Sequence, residues 1–92
     1  MQNIKVTNMT SPRTGKPVAN QFIIRTPDGE YFQSYDSMIA FKANDGSVTL
    51  DESMWDYSVT TNKYRNEFLC ESTPVTRKKI SAGIYKTENM NG

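Results

Sequence analysis

Residues 18–35 read VANQFIIRTPDGEYFQSY. Two runs rich in β-branched and aromatic residues flank Pro27-Asp28-Gly29, the pattern of a β-hairpin. Proline presets the first turn position and glycine accepts a left-handed backbone. Together they predict a type I turn followed by a left-handed glycine, a three-residue loop. That loop pairs Thr26 with Glu30, Arg25 with Tyr31 and Ile24 with Phe32, and so gathers Phe22, Ile24 and Phe32 on one face.

The pattern extends in both directions. NIKVTN (3–8) alternates apolar and polar residues as a short strand, and SPRTGKP (11–17) is a loop by its Pro and Gly, with Arg13 and Lys16 exposed. Asp36-Ser37 breaks the chain before the strand MIAFKA (38–43). Asp45-Gly46 then predicts a two-residue type I′ turn into SVTL (47–50), setting Phe41 opposite Leu50 and Ala43 opposite Val48.

After Leu50 the code changes to helix. Asp51 is an N-cap supported by Glu52, opening a short helical segment with Met54, Trp55 and Tyr57. Thr60 or Thr61 caps a second helix over 62–70, where Tyr64 and Phe68 share a face at i, i+4. Thr73-Pro74 starts a third helix, which Gly83 closes, and ENMNG leaves residues 87–92 frayed. The expectation is one α+β domain over residues 1–92. It has an antiparallel sheet of about five short strands (about 3–50) with C-terminal helices (about 52–83) packed on one face. Its thin core is built on Phe22, Phe32, Phe41, Trp55 and Phe68.

Composition excludes whole classes of function. The 92 residues are 36% hydrophobic and carry 11 basic and 10 acidic side chains, a formal net charge of +1; mean hydropathy is −0.67. A mimic of nucleic acid needs a strong negative excess, and a binder of duplex DNA usually has a positive one. Any nucleic-acid contact must therefore come from a local patch. There is no histidine and a single cysteine, Cys70. The usual zinc and iron ligand sets are missing, as are Ser–His–Asp and Cys–His catalytic groups. The pairs Glu52/Asp56 and Glu67/Glu71 read as solvated helix faces, and the isolated glycines make no phosphate loop. No catalytic residue, metal, cofactor or small-molecule substrate is predicted. A lone thiol suits a reducing compartment, and no apolar run or leader suggests a membrane, so the expected location is the cytoplasm, which the resemblance given below would make that of a bacterial host cell. Cys70 reads as a small buried residue at a helix end.

Two segments remain as contact candidates. STPVTRKKISAGIYKT (72–87) holds Arg77, Lys78, Lys79 and Lys86 and no acid. These cations either favour the helix dipole in water or form a patch for phosphates or acidic side chains. In WDYSVTTNKYRNEFL (55–69), Trp55 and Phe68 read as core. Tyr57, Tyr64, Lys63 and Arg65 offer a tyrosine-and-arginine contact surface.

NQFII, YFQSYDSMIAF, GSVTLD and WDYSVTTNKYRNEFL together resemble a family of small proteins encoded by bacteriophages and plasmids, without an assigned activity. The resemblance spans roughly residues 4–90. By size and type the chain is also similar to phage counter-defence proteins, including anti-CRISPR proteins. That similarity implies a non-enzymatic inhibitor of a host multi-subunit complex, in particular a type I CRISPR ribonucleoprotein with its guide RNA. Arg77, Lys78, Lys79, Lys63 and Arg65 would be exposed partner or phosphate contacts, with Tyr57 and Tyr64 beside them. The alternative is a small nucleic-acid-binding accessory protein using the same patch.

Overall fold

The computed structural model describes residues 3–92. Strands β1 (Lys5–Thr10), β2 (Pro17–Thr26), β3 (Gly29–Ser34), β4 (Ser37–Ala43) and β5 (Val48–Asp51) form an antiparallel meander in chain order. Helices α1 (Val59–Leu69) and α2 (Thr73–Ser81) follow. A last strand, β6 (Lys86–Glu88), returns to pair in parallel with β5. The fold is α+β as expected, with six strands instead of five.

The added strand lies where the chain was expected to fray. Leu50 pairs with Thr87 and Asp51 with Glu88. The Met90 N–H donates to the buried Asp51 carboxylate at 2.8 Å, and the Asn91 side chain bridges the Met38 amide and carbonyl at 2.7 and 3.0 Å. Hydrogen bonds to groups remote in sequence hold this end, and local patterning cannot reveal them.

Both hairpin loops sit where the sequence puts them, with their lengths exchanged. Thr26 pairs with Gly29, so the first loop is the two residues Pro27-Asp28, and Ile23, not Ile24, faces Phe32. In the second hairpin Lys42 pairs with Val48 and Phe41 with Thr49. The Ala43 N–H bonds to Ser47 O at 2.8 Å across Asn44-Asp45-Gly46. Here Gly46, at φ 92°, supplies the left-handed residue of a three-residue loop. The two turns are also joined: Asn44 donates from its side chain to Pro27 O at 2.6 Å and from its backbone to Asp28 O at 3.2 Å.

A one-residue slip moves every side chain to the opposite face. Phe22 and Phe41, expected in the core, therefore lie only partly buried on the face away from the helices. On the covered face one row crosses all six strands: Thr7, Ile23, Phe32, Ala40, Leu50 and Thr87. A β-bulge in β4 lets Ile39 bury beside Ala40. Helix α1 closes this face, with the Phe68 ring 5.9 Å from Phe32 and Ser34 Oγ 3.0 Å from Thr61 Oγ1.

The first short helical segment expected after Leu50 is a single turn capped by Asp51 as anticipated: the carboxylate accepts from the Ser53 and Met54 amides, and Trp55 N–H donates to Asp51 O at 3.1 Å. The N-cap of α1 is Ser58, whose hydroxyl accepts from Thr61 N at 3.1 Å. Cys70, expected to be buried, is exposed and adopts a left-handed φ of 57° as the C-cap of α1. Gly83, at φ 77°, follows the end of α2 as expected.

Candidate interaction surface

Arg65 is the residue whose placement differs most from expectation. Expected at the surface, it is instead 0% exposed, beneath the junction of α1, α2 and the Trp55 turn. Its guanidinium donates to Trp55 O, to Asn62 Oδ1 at 3.0 Å, to Asn66 Oδ1 at 2.8 Å and to Thr73 Oγ1 at 2.6 Å. Only Nε lacks a partner. Burial lowers its pKa from the ordinary arginine value, against the pull of Asp56 and Glu71. Arg65 is therefore a structural clamp. Its helix neighbour Tyr64 is likewise buried, not a surface contact.

The basic segment is largely occupied within the molecule. Arg77 meets Asp56 at 2.7 Å, and its guanidinium lies 5.5 Å from the centre of the Trp55 ring, with Arg65 at 5.3 Å from the same ring. Lys79 meets Glu71 at 2.9 Å. Glu71 also accepts from Tyr85 Oη at 2.7 Å and Thr76 Oγ1 at 2.6 Å. Lys78 makes no ion pair among the described residues, and Lys63 is exposed with Nζ 5.5 Å from the Tyr64 ring centre. The acids that neutralise the segment come from residues 56 and 71, outside it, so its local charge overstated what it presents.

Burial pushes the Glu71 carboxyl up, but hydrogen bonds from Lys79, Thr76 and Tyr85 outweigh it and hold the pKa below its ordinary 4.5. A carboxyl lowered on folding contributes stability above its unfolded pKa, and that stability is lost as pH falls through the folded value. Melting temperatures between about pH 6 and pH 3 should therefore fall more steeply for the wild type than for Glu71→Gln, the two curves converging in acid.

The structure brings two groups of exposed candidates together. Arg77 and Lys78 border a shallow depression with Pro74, Ser81 and Ala82. Tyr57, 64% exposed, shares a second depression of about 520 Å³ with Tyr35, Asp36, Ser58 and Thr60. Tyr35 was missed by sequence reasoning. It is 53% exposed and holds φ 56° at the first position of the two-residue Tyr35-Asp36 loop between β3 and β4. Glycine is the usual residue at such a position, and a side chain there carries strain of about 1 kcal/mol or more. The Asp36-Ser37 break was the one signal that located it.

Among the described residues no group of three or more His, Cys, Asp or Glu side chains is arranged to hold a metal. No helix in them is long and apolar enough to cross a membrane. No curated protein and no solved structure matches the chain. Residues 4–86 match the model described as "Family of unknown function (DUF8033)", and the chain belongs to that family.

Proposed function

We propose that this chain is a non-enzymatic binding protein that grips a macromolecular partner through the rim formed by Tyr35 and Tyr57. Lys63 and Lys78 serve as its uncommitted cations. The observation that carries this reading is Tyr35: an exposed aromatic ring held at a backbone position suited to glycine, beside a second exposed tyrosine. Backbone strain at an exposed residue adds nothing to the core and is often retained for contact. Tyrosine offers a large apolar area with a hydroxyl at its tip and few torsions to fix, which suits a binding rim.

In its specific form the partner is a host defence complex in a bacterial cell, a type I CRISPR surveillance complex carrying guide RNA, which the chain keeps from binding target DNA. This part rests on the resemblance to phage-borne counter-defence proteins. The rival reading, direct binding of free nucleic acid, is weakened because Arg77 and Lys79 are already paired with carboxylates and Arg65 is buried.

The test is a mobility-shift titration of a purified type I complex on its target DNA, with and without the chain, alongside naked DNA and RNA at physiological salt. The expected result is loss of target binding and no shift of free nucleic acid. Undiminished target binding at saturating chain would contradict the specific reading, and a shift of free nucleic acid would favour the rival.

Tyr35→Gly separates strain from contact. It should raise stability by about 0.5–1 kcal/mol by relieving the left-handed backbone, read as a higher melting temperature, while weakening the partner's grip.

A further inference from the structure

The sheet has a second face, and no helix covers it. Val6, Ile24, Tyr31, Phe41, Thr49 and Lys86 stand in one cross-strand row over all six strands, with Phe22 and Met38 in the next. None of these apolar side chains packs against the buried core. Val6 is 59% exposed, Ile4 on the same strand face is 57% exposed, and the Tyr31 and Phe41 rings meet at 4.5 Å in the middle of the row.

We infer that two copies of the chain pack through this helix-free face to form a twofold-symmetric dimer, sheet against sheet, with the helices outside. Charge selects the occupant. The strand residues Lys5, Arg25, Glu30 and Lys42 all stand in register on the helix side, Arg25 and Glu30 paired at 2.7 Å. The charged strand residues of the open face, Lys86, Glu88 and the buried Asp51, are confined to its β5–β6 edge. Across β1–β4 a charged partner finds nothing to pair with, whereas a second copy offers the same uncharged, largely apolar rows.

Area points the same way. Six strands spaced about 4.8 Å apart span roughly 24 Å, and six-residue strands run roughly 20 Å. That plan of about 500 Å² lies toward the upper end of the largest apolar patch a monomer usually leaves, a size often tied to binding. Side-chain relief raises it toward the roughly 800 Å² per partner of a standard stable interface.

Two sheets packed about 10 Å apart, their strands inclined by about 30°, bury such rows against each other. A twofold axis running along the strands lays the Val6 end of one row over the Lys86 end of the other, so the two Lys86 ammonium groups sit on opposite rims. The Tyr35 and Tyr57 rim lies at the β3–β4 loop and the start of α1, outside this face. The dimer would thus present two rims and bind a repetitive partner with added avidity.

The inference goes beyond the proposed function and is tested without any partner, so either can fail alone. Light scattering on the wild-type chain, well above micromolar concentration, should give twice the 10.5 kDa chain mass. Phe41→Lys, and independently the milder Val6→Glu, should each halve that mass with an unchanged far-UV circular dichroism spectrum. Lys63→Glu, on the helix side, should leave the dimer intact. A wild-type mass of one chain would overturn the inference, as would a dimer that survives both Phe41→Lys and Val6→Glu.

Discussion

Replacing Gly29 by alanine is expected to destabilise the protein by about 3 kcal/mol or more, lowering the melting temperature by some 15 °C for a domain of this size. A β-carbon at Gly29 would stand 2.3 Å from the Lys42 carbonyl oxygen and 2.8 Å from the Ala43 α-carbon. Both are backbone atoms of the adjacent strand, so no rotamer change relieves the clash. The backbone there also runs at φ 150°, outside the range side chains favour. Gly46 provides the control. It too has a positive φ, but nothing lies within 4 Å of the β-carbon position, so Gly46→Ala should cost only about 1 kcal/mol of conformational strain. Thermal melts of the two variants would separate close approach from strain.

The second large effect is expected at Arg65. Arg65→Ala removes the donor to Trp55 O, Asn62, Asn66 and Thr73 together, leaving buried acceptors unpaired and a void beneath Trp55. The expected loss is about 3–5 kcal/mol, a large part of the roughly 5–14 kcal/mol available to a chain of this length. Arg65→Lys keeps the charge but cannot reproduce the planar fork, and should lose about 2 kcal/mol. Urea unfolding would read both. If Arg65→Ala unfolded at the wild-type midpoint, the clamp would be wrong, and Arg65 would again be open to a contact role.

These two residues also mark where the sequence stopped being legible. The Pro27-Asp28-Gly29 and Asn44-Asp45-Gly46 turns were found from local chemistry, because proline, aspartate and glycine limit the backbone within a few residues. Their lengths were not found. Loop length here depends on Asn44 reaching the Pro27 and Asp28 carbonyls and on β4 lying against Gly29, contacts between segments that no local window contains. The resulting slip moved Phe22 and Phe41 off the core and created the open face.

Likewise β6 consists of Lys86, Thr87 and Glu88, a strand of three exposed residues with no hydrophobic pattern to read. Arg65 was hidden for a different reason. Its neighbours Lys63, Asn66 and Glu67 make its side of the helix look solvent-facing, and its four acceptors come from three separate segments. The candidate site was half legible. Tyr57, Lys63 and Lys78 are exposed as anticipated, whereas the pairing of Arg77 and Lys79 and the strained Tyr35 emerge only from the tertiary arrangement.

The central claim is that the chain works by contact through its tyrosine rim. Its most direct test is the affinity of the Tyr35→Gly/Tyr57→Ala variant for the proposed partner, a purified type I surveillance complex, compared with wild type, on proteins shown by circular dichroism to be folded. Loss of two rim aromatics should weaken binding at least about tenfold, the scale of a hot-spot deletion, with the fold at least as stable as before. Equal affinity of the variant and the wild type would contradict the account.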